Sequence, residues 1–219
     1  MVSKSSLRLQ LLKLRESFSS AYVRKASTDI CSHLIRLCGE LEAEFNCSKE
    51  GSANGRSPVL NILAYAAKNN EVCLDTFIEE RLAKGHNVFL PRVTGETSME
   101  FYRFKDLNDL ELGRYNIKSP KEGCAKLEKV SPDTWMILPC VGVNLKGNRI
   151  GHGRGYYDRY LQLHDQIALS ARIVPCYDKL LEACESIPGE DKARIFGPFD
   201  QSVGWIVSET RIIRVSHDE

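Results

Sequence analysis

The chain has 219 residues, of which 42% are hydrophobic and 27% charged, and its formal net charge is +1 at pH 7. This length and composition suffice to bury a sizeable core, most simply in one domain. The balanced charge excludes a global field that would attract nucleic acid or an anionic membrane, so any anion must be bound by a local patch.

Cysteine and histidine usage is typical of a reduced intracellular protein without a structural zinc site. The eight cysteines include no C-x-x-C pair, and the five histidines form no cluster with ligand spacing. No apolar run approaches the ~18 residues that span a membrane. We therefore expect a cytoplasmic monomer that binds neither nucleic acid nor membrane. A mitochondrial transit peptide is the alternative, because residues 1–20 are basic and serine-bearing, although Glu16 argues against it.

The chain opens with a predicted helix over residues 3–18. Ser3 is its expected N-cap, and apolar residues recur along one face. Lys4 and Arg8 are four residues apart and therefore share a face. From spacing alone, this pair is either a solvated surface or part of an anion site.

A strand, a helix and a second strand follow in the first half of the chain. The predicted elements are a helix over 20–44, a surface loop near 46–58, a strand over 59–65, a helix over 73–84 stopped by Gly85, and a strand over 87–92. A strand–helix–strand unit predicts parallel pairing. Ligands bind beyond the carboxyl ends of such strands, where Tyr65, Glu71 and Arg92 lie.

The second half continues the alternation of strands and helices. The predicted elements are a strand over 99–104 in a hairpin-like excursion, a strand over 166–175, a helix over 177–185, a loop over 187–199 and a closing strand within 200–209. The whole pattern predicts an α/β fold. Its mostly parallel, twisted central sheet should be flanked by helices on both faces in three layers.

A glycine loop over residues 147–155 is the most informative stretch. It follows an apolar run over 135–143 that predicts a buried strand, and helical spacing begins at Tyr156. The loop has alternating glycines with arginines in and around it: Gly151, Gly153, Gly155, Arg149, Arg154 and Arg159. Glycine lets a backbone approach phosphate closely, and arginine forks bind its oxygens. Asp158 would repel that phosphate unless a divalent cation such as Mg²⁺ lay between them.

Common nucleotide motifs do not explain this loop. No glycine is followed by Lys-Ser or Lys-Thr as in a Walker loop, and the glycine spacing differs from the dinucleotide fingerprint. The alternative is a glycine-rich turn in which Asp158 caps the helix or pairs with a neighbouring arginine.

The segment from Asn148 to Arg159, after a strand that ends Leu-Pro-x-Val-Gly-Val, resembles the signature of the 5-formyltetrahydrofolate cyclo-ligase (methenyltetrahydrofolate synthetase) family. The resemblance implies a single cyclo-ligase domain over 1–219, with extended surface loops near 46–58 and 187–199. It also implies cyclisation of 5-formyltetrahydrofolate to 5,10-methenyltetrahydrofolate. ATP and Mg²⁺ would be required, and ADP and phosphate released through a phosphorylated formyl oxygen.

The resemblance also implies roles for individual residues. Lys4, Arg149 and Arg154 would neutralise the transferring phosphoryl group. Nucleotide contacts are implied for Lys4, Arg8, Arg149, Gly151, His152, Gly153, Arg154, Gly155, Tyr156 and Tyr157. Folate contacts are implied for Arg8, Tyr65, Glu71, Arg92, Tyr115, Gly153, Gly155 and Tyr156. Asp158 and Asp200 would hold Mg²⁺, with Asp191 as a rival for the second position.

Several of these roles have structural alternatives. Glu71 could accept hydrogen bonds from a pterin or simply sit at the entrance of the following helix. Arg92 could meet an anion or pair within the protein, and Tyr115 could stack on the pterin or enter the core. Two departures from the family pattern are Phe199, where His usually precedes the Asp, and Asn144, where Asp is common. Alternative functions are an idle folate- or nucleotide-binding protein and another small-molecule kinase or ligase.

Overall fold

A computed structural model describes residues 3–48, 59–188 and 195–216. Within these ranges the α-helices are α1 (Lys4–Glu16), α2 (Ser20–Ser48), α3 (Asp75–Ala83), α4 (Tyr156–Leu163) and α5 (Asp178–Glu185). The strands are β1 (Asn61–Leu63), β2 (Asn87–Val93), β3 (Met99–Arg103), β4 (Leu110–Leu112), β5 (Lys118–Pro120), β6 (Thr134–Ile137), β7 (Gly142–Val143), β8 (Arg149–Ile150), β9 (Arg172–Pro175), β10 (Trp205–Val207) and β11 (Ile212–Arg214). Short 3-10 turns cover Leu107–Asp109, Arg114–Asn116 and Leu169–Ala171.

The first helix begins where the sequence predicts. Ser3 is the N-cap, and its hydroxyl accepts a hydrogen bond from the Ser6 backbone while the Ser6 hydroxyl contacts the Ser3 backbone. This capping box satisfies two of the free N–H groups at the helix start. Helix α2 extends to Ser48 and so passes the predicted end at residue 44. The start of the loop predicted near 46–58 is therefore helical, and residues 49–58 lie outside the described ranges.

The central sheet has seven strands in the order β11-β10-β9-β6-β1-β2-β3. Strands β10, β9, β6, β1 and β2 pair in parallel, and the two edge strands β11 and β3 pair antiparallel to their neighbours. The predicted strand–helix–strand unit is β1–α3–β2, and its parallel pairing is confirmed. The hairpin-like excursion at β3 is also confirmed, because β3 pairs antiparallel with β2.

The strand order places a topological switch point at β1. The chain crosses from β1 to β2 on one side, whereas β6, β9 and β10 follow one another on the other side. Right-handed crossovers in opposite directions put α3 and α4 on opposite faces of the sheet. The predicted three-layer α/β fold is confirmed. Such switch points form crevices at the carboxyl ends of the strands.

The strand predicted over 135–143 is wrong in extent. Strand β6 ends at Ile137, and a separate hairpin of β7 and β8 follows, whose second strand lies within the predicted glycine loop. Pro139 accounts for the break, because proline has no N–H to donate to the ladder. Gly147 turns the hairpin with a φ of +76°, and a Cβ there would lie 2.6 Å from the Val203 carbonyl oxygen.

A single apolar cluster fills the space between the sheet and its helices. Helix α2 packs on α3, and α5 packs on α1 and on the β7–β8 hairpin. Among the described residues, no helix has the length and hydrophobicity needed to cross a membrane.

Candidate active site

A cleft of about 870 Å³ opens beyond the carboxyl ends of β1, β2 and β6. Every site residue in the described ranges for which the family resemblance implies a role lines it: Lys4, Arg8, Tyr65, Glu71, Arg92, Tyr115, Arg149, Gly151, His152, Gly153, Arg154, Gly155, Tyr156, Tyr157, Asp158 and Asp200. Asp191, the rival metal ligand, lies outside the described residues. The volume falls in the upper part of the range for small-molecule sites.

The glycines of the loop make room for arginine side chains. A Cβ on Gly153 would lie 3.4 Å from the Arg8 guanidinium, and one on Gly155 would lie 2.9 Å from Arg159 Nη1. Both glycines have positive φ, at +96° and +65°, which side-chain-bearing residues rarely adopt. Gly155 is also the N-cap position of α4. The absence of side chains at these glycines therefore leaves room beside the loop backbone for arginine side chains as well as for a ligand in the cleft.

Helix α1 supplies two cations to the glycine-loop side of the cleft. Lys4 Nζ lies 2.5 Å from Asp200 Oδ1, and Arg8 Nε donates to the Gly151 carbonyl oxygen at 2.6 Å. The two residues share one face of the helix, and from it Arg8 reaches the glycine loop while Lys4 reaches the segment before β10. The solvated-surface alternative for this pair is therefore wrong.

Asp158 is paired with Arg149 across the glycine loop. Arg149 Nη2 lies 2.7 Å from Asp158 Oδ1, and the Gln201 backbone N–H donates to the same oxygen at 3.3 Å. The Arg149 side chain is 4% exposed, and its Nε has no hydrogen-bond partner within the described ranges. The pairing with a neighbouring arginine, which the sequence leaves open, is thus observed.

The two aspartates fit a Mg²⁺ ion in donor type. The Gln201 contact brings Asp158 next to the segment that carries Asp200, so both carboxylates lie on one side of the cleft. Asp158 accepts both of its hydrogen bonds at Oδ1. No group of three or more candidate metal ligands occurs in the described part of the chain. A magnesium ion held by two carboxylates and phosphate oxygens requires no such group.

Glu71 is the buried carboxylate at the other end of the cleft, with 8% of its side chain exposed. Its Oε1 lies 2.7 Å from His152 Nε2 and 3.7 Å from Arg15 Nη1. Its Oε2 accepts a hydrogen bond from the Lys68 backbone N–H at 2.8 Å. These contacts hold the Glu71 side chain in one position facing the cleft. In the sequence, Glu71 also lies shortly before the start of α3.

Tyrosine rings form much of the cleft wall. Burial raises the pKa of Tyr65 and of Tyr157, and the nearby charge of Glu71 adds to both effects, so both remain neutral phenols. A hydrogen bond with the Tyr115 side chain raises the pKa of Tyr156. Tyr115 is 44% exposed, which makes the core-aromatic alternative wrong. Its φ is +60°, an uncommon value for a bulky residue.

Two arginines for which the sequence allows an anion-binding role are hydrogen-bonded to groups of the protein itself. Arg92 donates to the Pro120 carbonyl oxygen, lies 3.4 Å from Glu111 and stands over the Tyr102 ring. Arg92 is therefore paired within the protein, which is the structural alternative to binding an anion. Arg159 does not line the cleft, because its guanidinium donates to backbone carbonyl oxygens of the surrounding loops.

Three further basic residues line the cleft for which the sequence predicts no role: Arg15, Lys68 and Arg114. Arg15 could have been found, because it lies seven residues after Arg8 and shares its helix face. Lys68 lies in a loop and Arg114 in a short 3-10 turn, where sequence spacing does not show which way a side chain points.

A mostly parallel open sheet with a cationic glycine loop and two nearby carboxylates at its switch point defines an α/β fold whose cleft is of the kind that binds small molecules. Comparison with known proteins narrows this class. The family model described as the 5-formyltetrahydrofolate cyclo-ligase family matches residues 52–208. The chain belongs to this family, and both the family and the enzyme class predicted from the glycine loop are confirmed.

Individual relatives agree with the family match. A Schizosaccharomyces pombe protein named as a probable 5-formyltetrahydrofolate cyclo-ligase is 27% identical over 153 residues, which cover 66% of this chain and 72% of that protein. The solved 5,10-methenyltetrahydrofolate synthetase of Aquifex aeolicus has a TM-score of 0.68 and 25% identity, covering 99% of this chain and 94% of that one. The Mycoplasma pneumoniae synthetase, at 19% identity, shows the same fold with a TM-score of 0.65 over 95% of this chain and 99% of that one.

Proposed function

We propose that the protein uses ATP and Mg²⁺ to cyclise 5-formyltetrahydrofolate to 5,10-methenyltetrahydrofolate, with release of ADP and phosphate. One observation carries the proposal: a single cleft joins a cationic glycine loop to a buried carboxylate among tyrosine rings. The loop end suits the nucleotide phosphates. The carboxylate end suits a pterin, whose ring N–H and amino groups are hydrogen-bond donors.

The reaction needs activation of an amide oxygen, which is a poor leaving group. The formyl oxygen attacks the γ-phosphorus of ATP, and the bond from phosphorus to ADP breaks. N10 then attacks the formyl carbon and loses its proton, and phosphate leaves with the electron pair of the carbon–oxygen bond. The chain provides no nucleophile for these steps, because positioning and charge neutralisation suffice.

Each end of the cleft supplies part of this environment. Lys4, Arg149 and Arg154 neutralise the transferring phosphoryl group, and Arg8, which donates to the Gly151 carbonyl oxygen, contacts both the nucleotide and the folate. Lys4 exchanges its contact with Asp200 for phosphate oxygens. Asp158 and Asp200 would hold Mg²⁺, which supplies charge neutralisation of the phosphates when bound.

The substrate end provides recognition. Glu71 accepts hydrogen bonds from the pterin, whereas Tyr65, Tyr115 and Tyr156 provide ring surfaces around it. Arg92, fixed by Pro120, contributes a positive charge near the rim. His152 lies between the ends and has no assigned proton-transfer role.

A turnover assay tests this proposal. Purified protein with 5-formyltetrahydrofolate, ATP and Mg²⁺ should produce the near-ultraviolet methenyl chromophore together with equimolar ADP and phosphate. Folate binding without turnover would instead identify an idle binding protein. ATP consumption with other acceptors, but no chromophore, would identify another kinase or ligase. A monomeric state and a cytoplasmic location remain predictions, to be checked by light scattering and by microscopy of the tagged protein.

A further inference from the structure

The surroundings of Glu71 include two basic side chains of different kinds. Oε1 is shared between His152 and Arg15, and Oε2 accepts the Lys68 backbone N–H. A buried carboxylate is costly unless it is paired and hydrogen-bonded. A ligand group that donates to Oε1 approaches an oxygen that already has two basic neighbours, and the neighbour that is held less firmly is the one it can displace.

His152 is the partner that can yield. Its side chain is 46% exposed, and it lies between Gly151 and Gly153, which permit backbone movement. Arg15 is held far more firmly. Its side chain is 5% exposed, and Nη1 donates to the Cys140 carbonyl oxygen at 3.2 Å.

The backbone around Arg15 is also fixed to the segment that carries Glu71. The Asn70 side-chain amide donates to the Arg15 carbonyl oxygen at 3.0 Å and to the Phe18 carbonyl oxygen at 3.2 Å. These bonds hold the residue before Glu71 against the end of α1. Arg15 and Glu71 are therefore connected through both side chain and backbone.

We propose that Arg15 is a positioning residue for substrate recognition, which supplies the permanent countercharge of Glu71 and fixes its direction into the cleft. His152 yields its place on Oε1 to the ring donors of the pterin. This inference rests on the proposed function, since it takes 5-formyltetrahydrofolate as the ligand of Glu71. Arg15 acts only through Glu71 and takes no part in phosphoryl transfer.

Calorimetric titration of the full chain with 5-formyltetrahydrofolate and, separately, with ATP and Mg²⁺ tests the role of Arg15. Arg15→Gln should weaken folate binding about tenfold, raise KM for folate and leave ATP binding and kcat within about twofold. Arg15→Lys should recover part of the folate affinity, because it restores the charge but not the fork. Lys13→Gln, on the exposed side of the same helix, is the matched control and should change neither affinity.

A double-mutant cycle separates positioning from a general structural role. In a Glu71→Gln background, Arg15→Gln should weaken folate binding by less than about twofold further, because the carboxylate it serves has been removed. Equal losses in both backgrounds, or a parallel loss of ATP affinity, would contradict the proposal. If thermal melting shows that Arg15→Gln does not fold, the same comparison is made with Arg15→Lys.

The displaceable partner has its own test. His152→Ala should leave folate affinity unchanged or higher, because it removes a competitor for Oε1, whereas a tenfold loss would show that His152 does not yield. The outcomes also separate the two proposals. A wild-type protein that does not bind 5-formyltetrahydrofolate overturns the proposed function and this inference with it. Wild-type binding that Arg15→Gln leaves unaltered overturns only the inference.

Discussion

Charged side chains form ion pairs at both ends of the parallel sheet, but the two groups differ in access. At the amino end, Arg81 has no exposed surface and contacts the carboxylates of Glu42 and Glu80, with His86 beside Glu42. At the carboxyl end, the main pairs are Lys4–Asp200, Arg149–Asp158 and His152–Glu71, and both members of each line the cleft.

The difference shows which buried charges are available for chemistry. Each pair in the cleft can exchange its partner for a ligand group, because that group can reach it from the open side. The Arg81 cluster does not line the cleft, so its ion pairs are part of the packing between α2 and α3. Burial of an ion pair alone does not indicate a functional site.

The largest expected effect concerns the amino-end cluster. Arg81→Met leaves the carboxylates of Glu42 and Glu80 without their buried countercharge, and should lower the free energy of unfolding by about 3 kcal/mol. Urea denaturation measures this, and turnover of the folded fraction should be unchanged. Arg24→Met, an exposed arginine on α2, should cost less than about 0.5 kcal/mol. If Arg81→Met lost turnover without losing stability, the amino-end cluster would be functional rather than structural, which would contradict its assignment to packing.

Asp158→Asn should produce the next largest effect, and this effect should be on turnover rather than on stability. Removing one carboxylate charge from the phosphate end should lower kcat about 100-fold, while binding of 5-formyltetrahydrofolate remains within about twofold. Steady-state turnover and folate titration measure the two quantities. Asp165→Asn, exposed after the end of α4, is the matched control. Unchanged turnover in Asp158→Asn would remove this residue from the mechanism.

A smaller effect concerns backbone strain in the segments around Asn69 and Tyr115, which line the cleft. In the described residues, positive φ without glycine occurs at Asn69, Tyr115 and Asn116. Tyr115→Gly should therefore be more stable than Tyr115→Ala by about 1 kcal/mol, since both lack the ring but only glycine relieves the strain. Urea denaturation of the two variants measures this difference. Equal stability, or a more stable alanine variant, would show that the segment is not strained.

The smallest expected effect is a pH dependence of the amino-end cluster. Burial lowers the pKa of His86 from its usual 6.5, against the opposing effect of Glu42, and burial lowers the pKa of His164 as well. The unfolded chain then binds more protons than the folded one, so stability is complete above about pH 6.5 and falls as the pH drops below it. His86→Asn should reduce this slope, which cannot exceed about 1.4 kcal/mol per pH unit for one proton. An unchanged slope would exclude His86 as its source.

Most of the fold could be predicted from the sequence, because local patterns determine it. The apolar runs at β1 and β2 and the intervening helix predict a parallel unit, and Gly85 ends that helix as expected. The hairpin of β7 and β8 could not be predicted, since an apolar run through Pro139 is indistinguishable from one long strand. Short paired strands such as β7 and β8 depend on their partner rather than on their own composition.

The parts of the candidate site that lie in recognisable sequence motifs could be predicted. The glycine loop indicates an anion site, and the Lys4–Arg8 spacing indicates a shared helix face. The contact between Glu71 and His152 could not be predicted, because it joins residues far apart in sequence through tertiary folding. The same reason hid the Arg81 cluster, whose partners lie on α2 and α3.

The central claim is that the cleft transfers the γ-phosphoryl group to the formyl oxygen of the folate. Single-turnover reaction of 5-formyltetrahydrofolate labelled with a heavy oxygen isotope in its formyl group tests this directly. Mass spectrometry of the released phosphate should find one labelled oxygen per molecule of methenyl product. Unlabelled phosphate formed together with the methenyl product would contradict phosphorylation of the formyl oxygen.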